Sequence, residues 1–94
     1  MKTIWKFPLE VADEQIIEMP RGAKILSVRI QHEVPCLWAL VDTAQRINVP
    51  RTIRIYGTGH NVSSLPDDSE HVGMLFLEDG YLVFHVFIDR QADA

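Results

Sequence analysis

The residues best equipped for chemistry are few. They are one cysteine (Cys36), four histidines (His32, His60, His71 and His85) and the polar run that follows Arg54. In Gly57-Thr58-Gly59-His60, two glycines allow the backbone to fold so that successive N–H groups point at one spot. Such a nest can hold a phosphate or a carboxylate. Arg54 and Tyr56, on the same side of one strand, would add a guanidinium and a stacking ring. The candidate ligand site is therefore Arg54, Tyr56, Gly57, Thr58, Gly59 and His60, and the ligand it suits is an anionic, nucleotide-like small molecule. The run lacks the spacing of a dinucleotide fingerprint or a P-loop. It implies no cofactor, and its plain structural reading is a glycine turn leaving a strand.

The histidines lack the short spacings of a metal pair, and one cysteine builds no zinc framework; no metal is expected. A nucleophile would need a base and an orienting acid brought to it in space. Cys36 follows Pro35 in an apolar segment and reads as a small hydrophobe. Ser63 and Ser64 share a loop with His60 and Asp67, but catalysis needs preorganisation that a loop does not supply. No catalytic residue is assigned, and the expectation is a protein that is not an enzyme.

The elements that must position these residues are strands. Val72–Leu77 and Tyr81–Ile88 are apolar runs joined by Glu78-Asp79-Gly80. Asp-Gly between such runs predicts a two-residue hairpin turn, because a type I′ turn needs positive φ at both central positions. Ala23–Gln31 alternates cleanly, with Leu26, Val28 and Ile30 on one face. Val34–Asp42 is apolar on both faces, with Cys36, Trp38 and Leu40 opposite Leu37, Ala39 and Val41. Thr3–Leu9, Gln15–Met19 and Arg51–Tyr56 are further short strands; Pro20-Arg21-Gly22 and His32-Glu33 are turns. Thr43–Pro50 could hold one helical turn, and Gly57–Ser69 is loop by composition. Apolar spacing of two rather than three to four, with turn signals every few residues, predicts an all-β fold. The expected architecture is a small antiparallel β-sandwich or barrel of about seven short strands. The expected core is Leu26, Val28, Ile30, Trp38, Leu40, Ile53, Ile55, Phe84 and Val86.

The last strand presents two apolar faces. Leu82, Phe84, Val86 and Ile88 can fill the core, which leaves Tyr81, Val83, His85 and Phe87 as a candidate interface. A contiguous apolar face marks a partner site, and two-fold self-pairing is the commonest cover; a homo-oligomer is expected. The competing cover is the first strand, through Trp5 and Phe7.

At 94 residues the chain bounds one β domain, 1–94, with a polar tail at about 90–94. The 47% hydrophobic and 23% charged fractions exclude a disordered body. A net charge of −4 argues against direct nucleic-acid binding, whose footprint is basic. No window is long and apolar enough to span a membrane. The start MKTIWKFPLE has no signal-peptide core, and Cys36 has no intramolecular partner. A reducing cytoplasm is expected.

The segments TIWKFPL, IEMPRGAKILSVRIQ, PCLWALVD, RTIRIYGTGH and LVFHVF together resemble a family of small uncharacterised proteins encoded by bacteriophages and prophages. The resemblance runs from Thr3 to Phe87; its most distinctive pieces are Pro35–Asp42 and Arg54–His60. It implies a phage context, with the host cytoplasm as location, and transfers no catalytic residue. The expected function is a non-enzymatic phage accessory binding protein, an inhibitor of a host antiviral defence system that acts by binding a host or defence protein. The alternatives are a sponge for a nucleotide-derived defence signal and a virion or tail accessory structural module.

Overall fold

The computed structural model describes residues 1–90. It holds seven strands: β1 (Lys2–Pro8), β2 (Gln15–Pro20), β3 (Lys24–Gln31), β4 (Val34–Asp42), β5 (Asn48–Gly57), β6 (Glu70–Leu77) and β7 (Leu82–Ile88). They form two antiparallel sheets, β1-β4-β3 and β2-β5-β7-β6. The sheets pack together without closing, so the sandwich is the correct half of the expected pair. Of the expected polar tail, the part beyond Arg90 lies outside the described residues.

The inner faces meet in one apolar cluster. Leu37, Ala39 and Val41 of β4 lie against Ile53 and Ile55 of β5, Leu75 of β6 and Val86 and Ile88 of β7, with Leu9, Met19 and Val28 closing the sides. Removing each such large side chain from water contributes about 1.5–3 kcal/mol.

Val28, Ile53, Ile55 and Val86 are buried as expected, and Ile30 and Phe84 pack half-buried against the cluster. Leu26, Trp38 and Leu40 correct the expectation. In β3 the pairs Ile25↔Ala39 and Ser27↔Trp38 are consecutive, so Leu26 is the extra residue of a β-bulge. The alternation slips by one there, which turns Ile25 inward and leaves Leu26 46% exposed. In β4 both faces are apolar; Leu37, Ala39 and Val41 face in, while Trp38 and Leu40 lie half-buried on the outer side.

The His32-Glu33 turn forms as expected, and two other connections differ from expectation. His32 and Glu33, with φ of 49° and 69°, make a two-residue hairpin between the paired Gln31 and Val34. The Asp79-Gly80 pair does take type I′ geometry, with Asp79 at φ 55°, ψ 30° and Gly80 at φ 90°. Glu78 also has positive φ, however, so the last ladder pair is Leu77↔Leu82 and the connection is four residues long rather than two. No helical turn forms before Pro50. Strand β5 begins at Asn48, and Pro50 pairs only with Glu18 of β2, because β7 joins β5 from Ile53 onward. A missing N–H is tolerated where a strand has a neighbour on one side alone.

Candidate functional site

The two groups of residues singled out from the sequence share one surface. Arg54 pairs with Phe87 and Tyr56 with His85 across β5 and β7. Met74 pairs with His85, His71 with Phe87 and Phe76 with Val83 across β6 and β7. Paired residues project from the same face, so all of these side chains stand on the outer face of the four-stranded sheet. Tyr81 does not join them; it ends the β6–β7 connection and is 89% exposed. The first strand does not cover this face either, since β1 belongs to the other sheet.

The centre of the face is an aromatic and histidine cluster. The Tyr56 and Phe87 rings lie 6.4 Å apart, and His71 meets the Phe87 ring edge-on at 5.1 Å. Thr58 Oγ1 lies 3.0 Å from His85 Nε2, and His85 Nδ1 lies 3.3 Å from His71 Nε2. Thr58 Oγ1 also donates to the Val83 carbonyl at 3.4 Å. A hydroxyl has one proton to give. With that proton on Val83, Oγ1 accepts from His85 Nε2–H, and His85 Nδ1 is left to accept from His71 Nε2–H. The tautomers follow from this network.

Arg54 closes one side of the face. Its Nε and Nη2 donate to the two carboxylate oxygens of Asp89 at 2.8 and 2.9 Å, and Glu14 lies 3.6 Å from Nη1. Ser69 Oγ donates to Asp89 at 3.2 Å. The hydrogen bond from Arg54 holds the Asp89 carboxyl below its ordinary range, and Arg54 is raised by the same bond. The guanidinium is thus neutralised by protein carboxylates rather than offered to the glycine turn.

The turn itself uses its donors internally. The His60 N–H donates to the Gly57 carbonyl at 3.0 Å and the Thr58 N–H to the Val83 carbonyl at 3.1 Å. The Gly57 N–H donates to His60 Nδ1 at 3.2 Å. The imidazole lies so close over Gly57 that a Cβ there would be 3.1 Å from His60 Cε1. Gly59, at φ 90°, supplies the left-handed position. Three N–H groups that an anion nest would aim outward therefore end on three protein acceptors.

Elsewhere, Cys36 is buried and its Sγ lies 3.4 Å from the Val34 carbonyl. The Ser63 N–H donates to Asn61 Oδ1 in a local turn. Among the described residues no three His, Cys, Asp or Glu side chains converge as a metal site, and no helix is long and apolar enough to cross a membrane. Two open grooves flank the face. One of about 530 Å³ follows the seam where β3 meets β6, with Val28, Arg29 and Ile30 on one side and His71, Met74 and Phe76 on the other. The other, about 300 Å³, lies between the Gly57–His60 turn and Tyr81–Phe84.

Sequence reasoning missed Asp89, His71, Met74 and Phe76. Met74 and Phe76 could have been found from the alternation opposite Leu75. His71 could not: Val72 is a bulge between the pairs His71↔Phe87 and Gly73↔Val86, and the shift carries His71 onto the outer face.

A model of a domain of unknown function, DUF7352, matches residues 1–94. The chain belongs to this family. No curated protein and no solved structure matches it. Within DUF7352, then, the outer face of this sheet is described by its own chemistry: an apolar and aromatic centre, bordered by the Arg54–Asp89 pair with Glu14 beside it.

Proposed function

We propose that this protein is a non-enzymatic binding protein that works by protein–protein contact, an accessory factor of phage origin directed at a component of host antiviral defence in the host cytoplasm. The observation that supports contact as the mode of action is the uncovered outer face of the four-stranded sheet. Met74 and Phe76 are 40% and 58% exposed on it, beside half-buried Val83, His85 and Phe87. Contiguous apolar surface of this kind marks a protein partner site. The Arg54 guanidinium is held by Asp89 and Glu14, so the aromatic centre of the face suits another apolar surface. A second copy placed across a two-fold axis offers one.

The sponge alternative has less support. The Arg54 charge is engaged by Asp89 and Glu14, and the Gly57, Thr58 and His60 N–H groups have protein acceptors. Multi-angle light scattering at micromolar concentration tests the self-pairing. A dimer that Val83→Asp or Phe76→Asp converts to a folded monomer is expected; a strict monomer overturns it. Pull-down from infected host lysate, with mass spectrometry of co-purifying proteins and extracted small molecules, tests the wider reading. Recovery of a nucleotide without any protein, followed by calorimetric binding of that nucleotide, would replace it with the sponge.

A further inference from the structure

The most distinctive motif, Pro35–Asp42, is left unused by the face described above, because β4 lies in the other sheet. Its outward residues are Cys36, Trp38 and Leu40. The register places them in rows: Lys2 beside Asp42; Ile4, Leu40 and Lys24 together; Lys6, Trp38 and Ser27 together; Pro8, Cys36 and Arg29 together. Ile4 is 57% exposed, and bulged Leu26 stands exposed at the rim. Lys6 Nζ of β1 donates to Gln31 Oε1 of β3 at 2.8 Å, and the Cys36 thiol on β4 between them is buried. The centre of the face is thus aliphatic with one indole, and its rim is cationic.

The chain as a whole carries a net charge of −4. Among the described strand residues of this face the balance is reversed: Lys2, Lys6, Lys24 and Arg29 stand against the carboxylate of Asp42, which the N-terminal ammonium already engages at 3.3 Å. An apolar centre with a charged rim is the anatomy of a protein interface, and charge complementarity selects the partner and speeds encounter. We propose that the outer face of β1-β4-β3 docks a partner protein through an acidic surface with an apolar centre. A nucleic acid fits less well. Single-strand platforms stack successive bases on several rings along a basic groove, whereas this flat face has one half-buried indole, and the remaining net charge repels phosphate.

The proposal shares with the functional reading only the premise of a binding protein, and it concerns the opposite sheet. It is tested by ¹⁵N NMR titration of the full chain with a synthetic peptide of alternating Glu and Leu, with single-stranded DNA and vesicles containing phosphatidylglycerol as comparison probes. The expected result is salt-sensitive shift changes from the peptide at Ile4, Lys6, Lys24, Arg29, Trp38 and Leu40. Lys6→Glu/Lys24→Glu should abolish them, while Val83→Asp, which alters the other face, should leave them unchanged. Absence of peptide shifts on this face, or tighter binding of DNA or vesicles than of peptide, overturns the proposal. Retention of the wild-type thermal midpoint by Lys6→Glu/Lys24→Glu excludes misfolding as the cause of lost binding, and the milder Arg29→Gln supplies a second reading.

Discussion

At Gly73 strand β6 packs tightly against Val28 of β3, and replacing this glycine with alanine is a sharp test of that junction. A Cβ at position 73 would lie 2.6 Å from Val28 Cγ2, whereas carbon atoms pack at about 3.5–4.0 Å. Strands β3 and β6 would have to part by about 1 Å, or Val28 leave its rotamer. Overpacking of this kind costs about 1–3 kcal/mol. Val28 is 6% exposed, and Val28→Ala alone should cost about 1.5–2.5 kcal/mol from two buried methyl groups and the space they leave. In the double variant the new methyl occupies the volume that Cγ2 vacates. The combined loss should therefore fall short of the sum of the single losses by about 1–2 kcal/mol. Urea unfolding of the four proteins, with unchanged slopes, gives the cycle. Additivity within about 0.5 kcal/mol, the usual result for sites without contact, would refute the packing of β3 against β6 at this point.

Three further outcomes are expected. Asp89→Asn should cost about 1.5 kcal/mol at neutral pH, the low end for a hydrogen bond to a charged group. Because Arg54 depresses the Asp89 carboxyl below 3.8, the wild-type advantage is present above that value and fades as pH falls through the lower folded value; unfolding curves at pH 7 and pH 3 should show the two proteins converge in acid. Glu33→Gly should stabilise by about 0.5–1 kcal/mol in chemical denaturation, since the left-handed φ of 69° costs a side chain about 1–2 kcal/mol and glycine returns part of that gain as chain entropy. Leu37→Ala should cost about 2–5 kcal/mol, more than Leu40→Ala three positions along the same strand, because Leu37 faces the core and Leu40 the outer side; equal losses would mean the faces of β4 are reversed.

Period-two alternation was enough to read seven strands and an all-β fold, because apolar residues recur at a spacing of two rather than three to four. It failed at Leu26 and at His71 for one shared reason. A bulge adds a residue that composition does not announce, and every side chain on one side of it changes face. It was ambiguous in Val34–Asp42, where both faces are apolar and only the register against β1 and β3 decides which is inside. The site was legible in halves. Arg54–His60 and Val83–Phe87 each drew notice, but their union depends on the pairing of β5 with β7. The Arg54–Asp89 bond joins residues 35 apart in the chain, a separation at which spacing says nothing. Spacing therefore could not show that the Arg54 guanidinium is held by Asp89.

The close approach of β3 and β6 also bears on how the chain behaves at high concentration. An open strand flank offers unpaired N–H and C=O groups to any other chain that can align with it. Here β3 and β6, eight residues each, end their sheets facing one another, and each is interrupted by a bulge. The other two edge strands are β1 and β2. The first holds Lys2, Lys6 and Pro8, and the second ends at Pro20 beside Glu18, residues that discourage end-on growth of a sheet. Face-to-face association is thereby favoured over fibre formation. A substitution that pried the Gly73–Val28 junction apart would reverse this, uncovering two long flanks at once and turning a loss of stability into a route to aggregation.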